Sequence, residues 1–283
     1  MLNISEIDIP PDSPNDRYNY SFAFDFEANF DPIPPTRWMN TYWTHSLLIS
    51  ALYLGFIRLG QHLMLNRKPL ALKHELVAWN AALALFSIIG TARFIPDCIW
   101  ALVNRGYRFS ICVCSYHRGV TAFWVEAFAF SKVIELGDTA FLVVRKRPVR
   151  FLHWYHHITV LVYTWHAFKD HTAAGRWFIG MNYSVHAVMY CYYATRAAGF
   201  AFPRCIPVSV TVFQLSQMFM GVAVTTSTLY YKWILGIECR QTLGNQMLAF
   251  LMYFSYFCLF IKFFVDTYLT KDHRSNRSKI GQK

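Results

Sequence analysis

Charged residues are scarce in this sequence. Asp, Glu, Lys and Arg make up 15% of its 283 residues, against about 25% in soluble domains. Hydrophobic residues make up 55% and aromatic residues 18%, which excludes an intrinsically disordered chain. The seven cysteines contain no CxxC pair, and their wide spacing excludes a dense disulfide scaffold. The composition leaves a membrane protein or a soluble helical protein with unusually apolar helices.

The N-terminal segment lacks the basic start and the apolar run of a secretory signal peptide. Acidic residues and prolines dominate it instead, so we expect an irregular leader over residues 1–41. It carries the sequon Asn3-Ile4-Ser5, a candidate glycosylation site if the leader is lumenal. A second sequon at Asn276 falls in a basic tail that we expect to be cytosolic, where no glycan is added.

Long apolar runs are what the sequence has in abundance. A transmembrane helix needs about 20 mostly apolar residues, and seven segments meet that length. The predicted spans are 42–65, 76–95, 120–144, 152–168, 177–196, 206–229 and 247–269. The predicted fold class is therefore an all-α integral membrane protein with seven transmembrane helices. We divide the chain into a lumenal leader (1–41), a seven-span domain (42–269) and a basic cytosolic tail (270–283).

The formal net charge is +11, and much of it lies in alternate loops. Basic residues follow the first, third, fifth and seventh predicted spans. The positive-inside rule places those loops and the C-terminus in the cytosol, and the acidic N-terminus on the lumenal side. The charge therefore marks membrane topology, and we expect no nucleic-acid partner.

The third predicted span carries charged residues where lipid is expected. Lys132, Glu135 and Thr139 are spaced i, i+3, i+7 and share one helix face, which Asp138 borders. Charged residues inside a span are candidate functional residues. Taken alone, the pattern also fits a buried ion pair that fixes helix packing.

The fourth predicted span opens with the motif His153-x-x-His156-His157. At this spacing at least two imidazoles point in one direction. Two chemistries are open: metal ligation by neutral imidazole, and acid–base or nucleophilic catalysis. Histidines placed at a membrane interface are the plain structural alternative.

The fifth and sixth predicted spans add uncharged polar residues. Each group alone also fits hydrogen bonding between helices. The candidates are His186, Met189, Tyr190 and Tyr193 in span five, and Gln214 and Gln217 in span six.

The polar residues of these four spans are predicted to lie at a similar depth in the membrane. At about 1.5 Å per residue, the polar residues of spans three to six fall in one layer about 10 Å thick within the cytosolic half of the membrane. We interpret the layer as one polar chamber that opens to the cytosol, with Lys146, Arg147 and Arg150 at its mouth to attract phosphates. An acyl-CoA fits, with its nucleotide at the mouth and its chain among apolar residues beyond the histidines.

Membrane desaturases and hydroxylases also carry HxxHH motifs, but they hold two irons with about eight histidines in three boxes. Here no second HxxHH occurs, so too few clustered imidazoles are available for such a site. A single metal ion stays open as an alternative, but Glu135 and Asp138 pair more economically with Lys132, so we expect no metal. The remaining histidines are scattered singly: His45, His62, His74, His117, His166, His171 and His273.

Four motifs carry a resemblance to a known family. The sequence resembles the fatty acid elongase family, which acts in the elongation of very long chain fatty acids. Residues 151–160, with Tyr155 before the second histidine, most resemble the branch that acts on saturated and monounsaturated acyl-CoAs of medium to long chain length. The motifs are Lys132-x-x-Glu135-x-x-Asp138-Thr139, His153-x-x-His156-His157, His186-x-x-Met189-Tyr190-x-Tyr192-Tyr193 and Thr211-x-x-Gln214-x-x-Gln217.

The resemblance implies a 3-oxoacyl-CoA synthase of the endoplasmic reticulum, an acyltransferase that condenses a long-chain acyl-CoA with malonyl-CoA and releases carbon dioxide. It implies six helices forming an inverted barrel around an acyl tunnel, and no cofactor besides the two CoA substrates. Membrane lipid, other enzymes of the elongation cycle and a homo- or hetero-oligomer are the implied partners. The C-terminal residues do not form a dilysine retrieval signal, so residence in the reticulum rests on the family.

Chemistry and resemblance together assign roles. We predict His156 as nucleophile or base, through an acyl-imidazole or directly, and His186 as second base or acyl carrier. His153 and His157 orient and polarise, and Lys132, Glu135 and Asp138 set protonation states nearby. The substrate-binding and supporting group also contains Thr139, Met189, Tyr190, Tyr193, Gln214 and Gln217. The alternatives are a di-iron desaturase or hydroxylase and a seven-helix receptor or transporter.

Overall fold

The computed structural model describes residues 14–270. The glycosylation candidate Asn3, the second sequon and the basic tail lie outside the described residues. Within them, all regular secondary structure is helical. The helices are α1 (Asp25–Ala28), α2 (Ile33–Tyr42), α3 (His45–Met64), α4 (Lys73–Cys112), α5 (Gly119–Ile134), α6 (Gly137–Val144), α7 (Phe151–Lys169), α8 (Gly175–Ala198), α9 (Cys205–Leu229) and α10 (Leu243–Phe264). Short π-helical turns continue α9 to Ile234 and α10 to Leu269.

All seven predicted spans fall on helices, with α5 and α6 together covering the third. Four segments are long and apolar enough to cross a membrane: residues 45–64, 73–112, 205–234 and 243–269. The all-helical fold with apolar, span-length helices is therefore confirmed. The count of seven spans and the division into leader, domain and tail stay predictions.

The predicted end of the second span at Ile95 is wrong, because α4 runs on to Cys112. In the structure Asp97 is buried and accepts a hydrogen bond from Arg176 Nε at 3.0 Å, so its charge is matched by a residue distant in sequence. The long helix changes direction at Gly106, whose φ of 85° is outside the helical region.

The third predicted span is interrupted. α5 ends at Ile134 and α6 begins at Gly137. A Cβ atom at Gly137 would lie 2.6 Å from the Trp79 ring, so the glycine lets α4 approach the break closely. The interruption separates the motif residues that an uninterrupted helix would align.

Six of the helices form a closed ring. In order around it, α4, α5, α7, α10, α9 and α8 each pack against the next, and α8 packs against α4 along most of its length. α3 lies outside the ring, against α6 and α7. The ring encloses an interior that its helices line together with α6 and with the connections at one end.

The described part of the leader is more ordered than predicted, since α1 packs on α5 and α2 on α7. Pro34 and Pro35 begin α2 rather than breaking it, because the first turn of a helix needs no backbone N–H from these positions. Glu27 is 1% exposed and pairs with Arg93, and it accepts a hydrogen bond from Trp124 Nε1 at 2.7 Å. Burial alone raises the pKa of Glu27, but its hydrogen bonds with Arg93 and Trp124 outweigh that effect and hold the pKa below its usual value.

A disulfide joins Cys112, at the end of α4, to Cys239, in the connection between α9 and α10. The two cysteines are 127 residues apart, so no local spacing indicated this pairing. It lies at the end of the ring where α5 begins. A single bridge is consistent with the expectation that no dense disulfide framework is present.

Candidate active site

Two cavities meet inside the ring. The first is lined from α6, α7, α8, α9 and α10. Four of these helices, α6 to α9, carry the residues that the sequence analysis placed in one polar layer. The predicted site residues that line it are Asp138, Arg150, His153, His156, His157, His186, Met189, Tyr190, Tyr193, Gln214 and Gln217.

The second cavity leads away from the first towards the end of the ring where α5 begins. It is mostly apolar, with Val125, Phe128, Val160 and Ile179 among its lining residues. The residues that line both cavities are His156, Asn182, Gln217 and Met218. The two cavities therefore adjoin, and we call the place where these four residues lie, His156 among them, the junction of the cavities.

The three histidines of the HxxHH motif differ in their partners. His153 Nε2 lies 2.8 Å from Thr139 Oγ1, which in turn lies 2.6 Å from the Tyr53 hydroxyl. His157 is 5% exposed, and its Nδ1 has no hydrogen-bond partner among residues 14–270. The His156 ring makes no hydrogen bond in the part of the chain that the structure describes. His153 is thus held in place, whereas the imidazole of His156 is available to a ligand.

His186, on α8, lines the same cavity as His156 and contacts a buried ion pair. Its Nδ1 lies 3.6 Å from Glu135 Oε1, which accepts a hydrogen bond from Lys132 Nζ at 2.7 Å. Lys132 also donates to Asn182 Oδ1 at 2.8 Å. Lys132 and Glu135 line neither cavity, so this buried pair positions cavity residues without contacting a ligand there.

The expected pairing of Asp138 with Lys132 is wrong. Asp138 accepts hydrogen bonds from Trp79 Nε1 at 2.6 Å and from the Tyr190 hydroxyl at 2.7 Å. The break between α5 and α6 turns the Asp138 carboxylate away from the Lys132–Glu135 pair and towards α4 and α8. Its predicted position on the border of the Lys132 face assumed one continuous helix.

Two amides face the junction of the cavities. Gln217, on α9, is 5% exposed, and its Oε1 has no partner among the described residues. Asn182, on α8, uses its Oδ1 to accept from Lys132, which leaves its Nδ2 for the cavity. Sequence reasoning missed Asn182, although its spacing one turn before His186 places it on the same helix face. Gln214 instead donates from Nε2 to Met189 Sδ at 3.2 Å.

One of the three basic residues predicted at the mouth lines the first cavity. Arg150 does so, with its guanidinium 5.4 Å from the centre of the Phe263 ring. Lys146 Nζ donates instead to two backbone carbonyls after α3, at 3.0 and 3.1 Å. Arg147 does not line the cavity either. Across residues 14–270, no group of three His, Cys, Asp or Glu side chains is arranged to hold a metal ion.

The sequence has well-defined relatives. The model of the ELO family, described as the GNS1/SUR4 family, matches residues 38–276. A Caenorhabditis elegans relative, by name a fatty acid elongase, is 48% identical over 94% of this chain and 83% of its own length. Very long chain fatty acid elongase 6 of Gallus gallus is 43% identical and that of Homo sapiens 42%, each over 90% of this chain and 96% of the relative. The chain therefore belongs to the ELO (GNS1/SUR4) family of fatty acid elongases.

Proposed function

We propose that this elongase is a 3-oxoacyl-CoA synthase, which joins a fatty acyl-CoA to malonyl-CoA in the decarboxylating step of elongation. The observation that carries the proposal is the place of His156, at the junction of a polar cavity and an apolar one. The polar cavity suits the CoA thioester, and the apolar cavity suits the acyl chain. A thioester carbonyl at the junction lies beside an imidazole without a protein partner.

The chemistry divides into two transfers. In the first, a ring nitrogen of His156 attacks the acyl thioester, the carbon–sulfur bond breaks, and CoA leaves as its thiol after taking up the proton from the ring. In the second, malonyl-CoA loses carbon dioxide, and the resulting enolate attacks the acyl-imidazole carbonyl. The carbon–nitrogen bond then breaks, and a proton drawn from solvent through His186 is taken up by the leaving ring nitrogen, which releases 3-oxoacyl-CoA and restores neutral His156.

The remaining site residues have supporting roles in this proposal. Glu135 orients His186 through Nδ1, which leaves the other ring nitrogen to move a proton at the malonyl group. The amides of Asn182 and Gln217 are the donors for the oxyanion that develops on each carbonyl. Arg150 is the group that binds CoA phosphate. No step requires a cofactor beyond the two CoA substrates.

We further propose seven spans, with six in the closed ring as an inverted barrel, in the membrane of the endoplasmic reticulum. The N-terminal side is lumenal and the C-terminus cytosolic. The bond between Cys112 and Cys239 supports this direction, because it lies at the end of the ring assigned to the lumen, an oxidising compartment. A 3-oxo product must next be reduced, so other enzymes of the elongation cycle are the expected partners.

The test is incorporation of labelled malonyl-CoA by purified protein given saturated acyl-CoAs. We expect His156→Ala to abolish incorporation, because no other imidazole among residues 14–270 lines both cavities. The matched control is His166→Ala on the same helix, since His166 bonds Asn245 Oδ1 at 2.6 Å and lines neither cavity. Full incorporation by the His156 variant would contradict the assignment, as would equal loss in both variants.

The intermediate has its own test. Incubation with acyl-CoA alone, followed by mass spectrometry of the intact chain, should show one added acyl group that the His156 variant lacks. An unmodified chain in an active preparation would show instead that the enolate attacks the thioester directly. Iron bound in proportion to activity would favour the desaturase alternative.

A further inference from the structure

The far end of the apolar cavity is polar. Around its walls α7 supplies Val160, Ala167 and Phe168, but the end is formed by the connections after α4 and after α7. These connections contribute Tyr116, His117 and Thr172. A cavity that received hydrocarbon alone would have no use for such groups at its closed end.

His117 is the unusual member of this group. It is 5% exposed, and its Nδ1 lies 2.8 Å from Nδ1 of His171, whose Nε2 lies 3.3 Å from Thr36 Oγ1. The other ring nitrogen, Nε2, is buried without a hydrogen-bond partner among residues 14–270. Tyr116 does not fill this role, because its hydroxyl donates to the Thr172 carbonyl at 2.6 Å.

The contact between the two Nδ1 atoms restricts what Nε2 can bind. One Nδ1 must donate and the other accept. If His117 donates, its Nε2 is an acceptor, and if His117 accepts, its Nε2 carries the proton. A hydroxyl both donates and accepts, so it satisfies Nε2 in either state.

The charge of the ring points the same way. Burial, the neighbouring His171 and the positive charges of Arg240 and Arg176 hold the pKa of His117 well below its usual value, so the imidazole is neutral. The ring therefore adds no counter-charge for a buried carboxylate, and Arg176 is already paired with Asp97, so placing that ion there would be unfavourable. A neutral hydroxyl carries no such penalty.

The distance to His117 defines which chains reach it. Along α7, His156 and Phe168 are twelve residues apart, or about 18 Å. An extended hydrocarbon advances about 1.25 Å per carbon, from its bond lengths and angles. A chain of about 14 to 16 carbons with its carbonyl at His156 therefore places its last carbon at the end of the cavity.

We propose that His117 makes this end a subsite for a terminal hydroxyl, so that the elongase accepts ω-hydroxyacyl-CoAs of about 16 carbons alongside the unsubstituted chains. This inference rests on the proposed function, because it requires the acyl chain to occupy the apolar cavity. Thr36 and His171 are positioning residues that fix the His117 ring. His117 itself determines specificity and takes no part in the reaction.

The test compares the kcat/KM of ω-hydroxyacyl-CoA with that of the plain acyl-CoA of equal length, at 16 and at 12 carbons. In the unsubstituted enzyme we expect a ratio near one at 16 carbons and about tenfold lower at 12, because a hydroxyl stranded in the apolar section loses its hydrogen bonds. The same ratio at both lengths would overturn the proposal without any variant.

The matched variants are His117→Phe, which keeps a ring of similar size, and His117→Gln, which keeps a hydrogen-bonding group. The Phe variant should lower the 16-carbon ratio about tenfold and keep the 12-carbon ratio. Because both substrates of a ratio meet the same variant, a change in its rate with hexadecanoyl-CoA does not enter the comparison. The Gln variant should retain most of the preference. A 16-carbon ratio unchanged in the Phe variant would overturn the proposal, whereas failure of the unsubstituted enzyme to elongate hexadecanoyl-CoA would overturn the proposed function instead.

Discussion

Under the proposed function, helix α7 sets the length scale for the acyl chain, because it lines the apolar cavity from His156 past Thr164 to Phe168. Thr164 is eight residues beyond His156, or about 12 Å along the helix. At about 1.25 Å per carbon, a chain of about ten carbons reaches it. A phenylalanine side chain at this position fills the cavity there, so Thr164→Phe should end the usable length at about ten carbons.

The size of the expected fall in kcat/KM follows from the number of chain carbons that can no longer be buried in the cavity. A hexadecanoyl chain has about six carbons beyond this level, and each buried methylene contributes about 0.8 kcal/mol. The lost burial of about 5 kcal/mol corresponds to a fall of about 10³- to 10⁴-fold in kcat/KM for hexadecanoyl-CoA. Decanoyl-CoA, which ends before the obstruction, should change only a few-fold.

The assay is condensation with labelled malonyl-CoA across saturated acyl-CoAs of 8 to 18 carbons. Thr164→Val is the matched control, since valine has the shape of threonine and leaves the cavity open. We expect its chain-length profile to coincide with that of the unsubstituted enzyme. An equal loss for decanoyl- and hexadecanoyl-CoA in the Phe variant, or no loss for either, would refute the assignment of this cavity to the acyl chain.

Three further predictions concern groups outside the cavities. Lys132→Met leaves Glu135 buried without its lysine partner and should lower stability by about 3 to 5 kcal/mol. The double variant with Glu135→Leu should regain the melting temperature but not the activity. A double variant as unstable as the single one would contradict the pairing. The pKa of Glu27 is held below its usual value, so the stability it contributes is present above about pH 4.3 and is lost as the pH falls through the folded pKa. The difference in melting temperature between Glu27→Gln and the unsubstituted protein should therefore shrink below that pH, and a constant difference would count against the ion pair. Cys112→Ser removes a disulfide that closes a long loop, so thermal unfolding in detergent should show a loss of stability of up to about 5 kcal/mol. Reductant should cause the same loss in the unsubstituted protein. Equal melting temperatures with and without reductant would show that the disulfide is absent.

The polar chamber is the part of the site that was predictable from the sequence. His153, His156 and His157 lie within one turn of a helix, and His186 is on another span at a similar depth. Regular helix rise and bilayer thickness are enough to place such residues in a common layer. The structure brings them to one cavity as expected.

The partners of Asp138 could not be predicted in the same way. Its hydrogen bonds come from Trp79 and Tyr190, which are 59 and 52 residues away in sequence. They depend on the break before Gly137, which the close approach of Trp79 allows. A local pattern of charges carries no information about which distant helix will lie against it.

The sequence by itself determined the helical class, the run of apolar segments and the positions of the four clustered histidines along their helices, because each depends on local composition and a fixed rise per residue. The tertiary structure alone decided that Asn182 stands beside His156 at the junction of the cavities, and that His117 and His171, predicted to be isolated, touch at the end of the apolar cavity. Those relations follow from the order in which the helices close the ring. That order is set by packing between segments far apart in the chain, which no local pattern records.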